Sequence, residues 1–126
     1  MTNAAALTRV LSFHKKIRYC GLVDEKGAVV AGSMREGLAS LEPNSEDARL
    51  FVQISLAVGM DQGWNRYFGR TRIIAIMKEK VAIFIFSLPD NRAVVVATEP
   101  DLPISKMKKL GELIDTSSFE VSGKFQ

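Results

Sequence analysis

Apolar and polar positions along the chain change period several times, and the changes divide it into elements. Between Asn3 and Ile17, Leu7, Val10, Leu11 and His14 fall at i, i+3, i+4 and i+7, the spacing of one helix face, and Asn3 stands where a cap belongs. Two short apolar runs follow, Tyr19 to Val23 and Ala28 to Gly32, and predict strands. Met34 to Pro43 has no period and predicts a loop. Asn44 and Ser45, followed by Glu46 and Asp47, mark a helix start with acids in its first turn, where the helix dipole favours them. That helix runs to Asp61 and on toward Phe68. Thr71 to Met77, Val81 to Ser87 and Ala93 to Thr98 are apolar runs joined by "KEK" and "LPDNR", the chemistry of turns between strands. Pro100 and Pro103 interrupt the chain before a last helix capped by Ser105, with Ile104, Met107, Leu110, Gly111 and Ile114 along one side.

The order is α-β-β-α-β-β-β-α. Strands joined by short turns pair antiparallel, so the expected class is α+β: a five-stranded, mainly antiparallel sheet with helices on both faces. A chain of 126 residues makes one domain, placed at 1–115, with a polar tail at 116–126 whose Phe119 and Phe125 either dock or stay loose.

The stretch "GLVDEKGAVVAGS", Gly21 to Ser33, invites a reading as a phosphate-cradling loop. Such loops lie between a strand and a helix, so that free amides point at the anion. Here strand-type runs lie on both sides, and "DEKG" is a hairpin turn in which Gly27 supplies a positive φ. Gly21 lets a neighbour pack close to the sheet, and Gly32 ends the second strand or marks a bulge.

Leu50 to Met60, "LFVQISLAVGM", carries no charge. At about 100° per residue Leu50, Ile54 and Val58 point one way, while Val52 and Leu56 point nearly opposite, with Met60 toward that side. A helix apolar all round needs cover on two sides, and this one is too short to span a membrane, which takes about 20 apolar residues. "IIAIM", "VAIFIF" and "AVVVA" are continuous apolar runs, as in strands covered on both faces. Five strands make a sheet roughly 24 Å wide, and one helix covers about 10 Å of it. Three helices close one face and leave the other half bare. A second copy of the chain would complete the cover, and "TRIIAIM" has no charge between Ile73 and Met77 to guard an edge strand from pairing.

The element order, together with Cys20, Gly21, Leu22, Val23, Asp24 and Gly27, resembles the roadblock/dynein light chain family, a relative of the longin and profilin-like folds. The resemblance covers Leu7 to Asp115. It implies homodimers or heterodimers in which middle helices pair and third strands meet edge to edge, and a partner that is a small GTPase or a motor or scaffold component. The expected dimer interface is Leu50, Phe51, Ile54, Ala57, Val58, Thr71, Ile73, Ile74 and Ile76. The link "MREGLASLEP" is long for the family, and "WNRYFGRTR" departs from it.

Composition narrows the chemistry. The 17 basic and 14 acidic residues leave a net charge of +3, too mild to call for an anionic partner. The lone Cys20 excludes an intrachain disulfide and fits a reducing, cytoplasmic compartment; "MTNAAALTRV" lacks the pattern of a secretory signal. His14, the single histidine, is expected on the apolar face of the first helix, as a core or interface residue rather than a base. One Cys and one His give no catalytic constellation and no multi-cysteine metal site, so no enzyme activity and no cofactor are expected. Asp24 and Glu25 are expected as solvated turn acids, and Lys106, Lys108 and Lys109 as the solvated face of the last helix. Trp64, Arg66, Tyr67, Arg70 and Arg72, with Phe68, form the one aromatic–basic segment. Its rings are expected to finish the core with arginines around them; exposed, the same residues would contact a partner or phosphate, or stack bases. The expected function is a non-enzymatic dimerising adaptor. The alternatives are a profilin-like small-ligand sensor, with an apolar pocket between the sheet and one helix, and a nucleic-acid binder acting through residues 64–72.

Overall fold

A computed structural model describes residues 2–42, 46–88, 90–116 and 119. Helix α1 (Asn3–Ser12) leads into strands β1 (Ile17–Val23) and β2 (Val29–Met34). Helix α2 (Asp47–Asp61) continues through a tighter turn, Gln62–Trp64, into the short α3 (Asn65–Phe68). Strands β3 (Ile73–Met77), β4 (Ala82–Ser87) and β5 (Ala93–Thr98) precede helix α4 (Ile104–Thr116). The five strands form one sheet in the order β2-β1-β5-β4-β3, and every pairing is antiparallel. β2 and β3 are its edges. The α+β architecture is the one that the hydrophobic pattern predicts.

The two faces are covered unequally. On one, α1 and α4 press Leu7, Val10, Met107, Leu110 and Ile114 onto Cys20, Leu22, Phe84, Val94 and Val96, and Phe119 from beyond α4 joins them. On the other, α2 alone sets Phe51, Ile54 and Val58 on Val23, Ile85, Ala93 and Val95. The alternation of side chains along β4 and β5 thus feeds two cores from one continuous apolar run.

Several local expectations are corrected. The first helix ends at Ser12 rather than Ile17, and Thr2, whose side chain accepts from the Ala5 N–H at 3.1 Å, caps it in place of Asn3. His14 therefore lies off the helix; its Nδ1 accepts from the Lys16 N–H at 3.0 Å. The physical reason is Arg35. Its Nη2 donates to the carbonyls of Leu11 (2.7 Å) and His14 (2.8 Å), and its Nε to that of Ile17 (2.7 Å), so these carbonyls are satisfied without another helical turn. Ser105 is the second residue of α4, not its cap, and the expected cap at Asn44 and Ser45 lies outside the described residues. Phe125 and most of the expected tail lie outside them too.

Gly32 neither ends β2 nor marks a bulge. It sits within the strand opposite Gly21, and the register shifts fall elsewhere, between Ile17 and Tyr19 and between Leu22 and Val23. A Cβ on either glycine would fall 2.4 to 2.6 Å from the Tyr19 hydroxyl, so the pair forms a shelf on which that ring lies. The ring in turn meets Phe51 of α2 at 6.1 Å between centroids.

Candidate functional site

The "DEKG" segment is a hairpin turn, with Asp24 N–H donating to Ala28 O at 2.9 Å and Gly27 at φ +87°. Asp24 is not merely a solvated acid: its Oδ1 accepts from the amides of Lys26 and Ala28, both at 2.9 Å, which uses the groups a phosphate would need. The turn is seated on α2. A Cβ on Gly27 would lie 2.8 Å from Val52 Cα, and Ser55 Oγ donates to the Glu25 carbonyl at 2.8 Å. At its other end α2 is tied to the approach to β3 by a hydrogen bond from Thr71 Oγ1 to Asp61.

So anchored, α2 presents two different sides. Ile54 and Val58 are 3% and 6% exposed, with Phe51 buried beside them and Leu50 half-buried. Leu56 and Met60 are 61% and 79% exposed, with Val52 and Ala57 also at the surface. Trp64 in the tighter turn and Phe68 in α3 keep the same four-residue spacing and are exposed as well. Val52, Leu56 and Met60 lie by Glu25 and Lys26 of the hairpin turn. At the other side of the sheet the edge of β3 is open: Ala75 and Met77 are exposed, and Ile74 and Ile76 are half-buried against the α2 core. Ile73 turns to the opposite face, toward α4. Of the residues expected at an interface, Phe51, Ile54 and Val58 thus belong to the chain's own core, while Ala57 and the β3 edge lie at its surface.

The aromatic segment corrects another expectation. Trp64, Tyr67 and Phe68 do not finish the core; they stand exposed and pack on one another, with Trp64 and Phe68 stacked at 5.9 Å. Arg66 lies 4.9 Å from the centre of the Tyr67 ring. Arg70 and Arg72 are directed elsewhere: Arg70 Nη1 donates to the Ser87 carbonyl at 2.8 Å, and Arg72 pairs with Asp115 at 3.1 Å. They line a groove between β3 and α4 with Lys108, but Glu112 and Asp115 line it as well, so it is mixed in charge.

A cavity of about 610 Å³ opens where α2 leaves the sheet uncovered. Its floor is Tyr19, Gly32, Ile83, Val95 and Ala97; Leu50, Phe51 and Ile54 form one wall, and residues 39–42 of the loop after β2 form the roof. The sequence signalled part of this through Gly21 and Gly32, nearly equidistant from the turn, but not the roof. Cys20 is buried on the opposite face, its Sγ donating to the Leu7 carbonyl at 3.3 Å. Burial pushes this thiol up to about 12, against smaller opposing contributions from a backbone contact at Leu11 and from Arg35. Among the described residues no group of three or more His, Cys, Asp or Glu is placed to hold a metal ion, and no helix is long and apolar enough to cross a membrane.

No protein-family model matches the chain, and no curated protein matches it. Solved structures do. The gliding protein MglB of Thermus thermophilus superposes with a TM-score of 0.74 at 17% identity, over 91% of this chain and 84% of that one. A Roadblock/LC7 domain from Streptomyces avermitilis gives 0.67 at 12% identity, over 90% and 88%. MglC from Myxococcus xanthus gives 0.65 at 20% identity, over 91% and 94%. The likeness spans nearly the whole of each chain, and the resemblance seen in the sequence holds at the level of the fold.

Proposed function

We propose that this chain, which has the roadblock/LC7 fold, is a non-enzymatic adaptor that works as a homodimer. One observation carries the reading: α2 leaves an uncharged stripe, Val52, Leu56 and Met60, exposed, and the sheet ends in a β3 edge that no charged side chain guards between Ile73 and Met77. Each side chain of that size stabilises an interface by about 1.5–3 kcal/mol when fully buried, and an apolar edge strand pairs with whatever strand reaches it. Two copies meeting along β3, with α2 brought against α2, would pair the open strand edge and cover apolar surface of the helix. Thr71, Ile73, Ile74 and Ile76 belong to the strand side of that seam, Ala57 and Leu56 to the helix side, and Leu50, Phe51, Ile54 and Val58 support the helix from within. A structure of MglB has a tetrameric arrangement, so self-association on this fold has a precedent.

The joined pair would present a composite surface for a further partner. A small GTPase or a scaffold protein is the partner that the roadblock resemblance implies, and the exposed Trp64, Arg66, Tyr67 and Phe68 are the residues best placed for contact. Arg70 and Arg72, already engaged with the chain, are secondary. Mass determination by light scattering tests the dimer. The expected result is twice the chain mass of 13.9 kDa, falling to one chain in Leu56→Asp and in Ala75→Lys. A single-chain mass for the unaltered protein at millimolar concentration ends the proposal. Native mass spectrometry of the protein from its own cells then tests the partner class.

A further inference from the structure

We infer that the cavity between α2, the sheet and the 39–42 roof is a binding site for an uncharged, mostly apolar small organic molecule. Its volume of about 610 Å³ lies within the ~300–1,000 Å³ range of sites that enclose such ligands. The floor and wall are aliphatic or aromatic, and Gly32, opposite Gly21, keeps the floor low by letting Tyr19 lie flat on the sheet.

Charge decides the ligand class. The cation at the cavity is Arg18, and it is already matched: Nη1 pairs with Glu99 at 2.6 Å and Nη2 donates to the Ala39 carbonyl at 3.2 Å. An anionic head group would have to displace Glu99 from Arg18. Ser40 in the roof also lines the cavity and makes no side-chain hydrogen bond with the described residues, while Ser33, paired with Cys20, turns its side chain to the other face of the sheet. The Ser40 hydroxyl suits one hydrogen bond to a ligand carbonyl or hydroxyl.

The inference does not rest on the adaptor reading, because the cavity and the exposed stripe lie on opposite sides of α2. Titration of the intact protein with Nile red, a neutral apolar dye, tests it. Saturable binding of one dye per chain is expected. Ala97→Phe and Ile83→Trp, which fill the space, and Ser40→Asp, which adds a carboxylate to the roof, should each weaken it at least tenfold. Leu56→Asp and Met60→Asp should leave it unchanged. Urea midpoints identify any filling variant that has not folded, and Ser40→Asp, on a surface loop, keeps the test decisive in that event. Absence of saturable binding, or binding lost with Leu56→Asp but kept in the folded cavity variants, overturns the inference.

Discussion

Gly27 is the residue on which two constraints meet. Its φ of +87° disfavours any side chain, and a Cβ there would press on Val52 Cα at 2.8 Å, backbone that cannot swing aside. Gly27→Ala should therefore lower stability by about 2 kcal/mol or more, seen as a lower urea midpoint, whereas Gly37→Ala, equally strained but with open space around it, should cost only about 1 kcal/mol. Cys20 gives a second prediction. Its thiol titrates near 9.0 ordinarily and near 12 in the folded chain, so the unfolded state ionises first. The stability this contributes is fully present below pH 9 and is lost as pH rises through the window up to about 12. The wild type should lose stability faster than Cys20→Ala across that window, the difference approaching about 1.4 kcal/mol per pH unit. At this scale the sequence was legible where one residue type has one local job, as with the turn glycine. It was not legible where a partner comes from afar. Nothing near Arg35 announces that it will hold three carbonyls between the end of α1 and the start of β1, and so His14 was expected on a helix that Arg35 allows to end early.

At the scale of elements, α2 was the most readable part of the chain, because a helical wheel is a local property. Leu50, Ile54 and Val58 turn inward and Val52, Leu56 and Met60 outward, as their spacing predicts. The two sides should respond differently to the same change. Val58→Asp places a carboxylate in the second core and should cost about 3 kcal/mol or more, or leave the chain unfolded. Leu56→Asp should shift the urea midpoint of a dilute sample little while abolishing self-association. Far-ultraviolet circular dichroism with light scattering separates these outcomes. The aromatic segment was misjudged for a physical reason. Trp64, Tyr67 and Phe68 are apolar enough for a core, but the tighter turn at Gln62–Trp64 and the short α3 carry them past the end of the covered sheet. Composition states that such side chains want cover; only the path of the backbone decides whether any is within reach.

In the whole molecule, the unequal cover of the two faces follows from counting helices against strands, and it was the fold-level property most open to sequence reasoning. The cavity was not. It exists because residues 39–42 fold over a floor built from four different strands, and no local pattern encodes that closure. The proposed seam has a thermal consequence. It offers methyl and thioether groups and strand amides, with no side-chain charge between Ile73 and Met77. Contacts of that kind draw on water's reluctance to solvate hydrocarbon, which fades on cooling, and they have little to lose to added sodium chloride. Chilled samples should come apart into single chains at concentrations where warm ones stay joined, and salt should not imitate the cold.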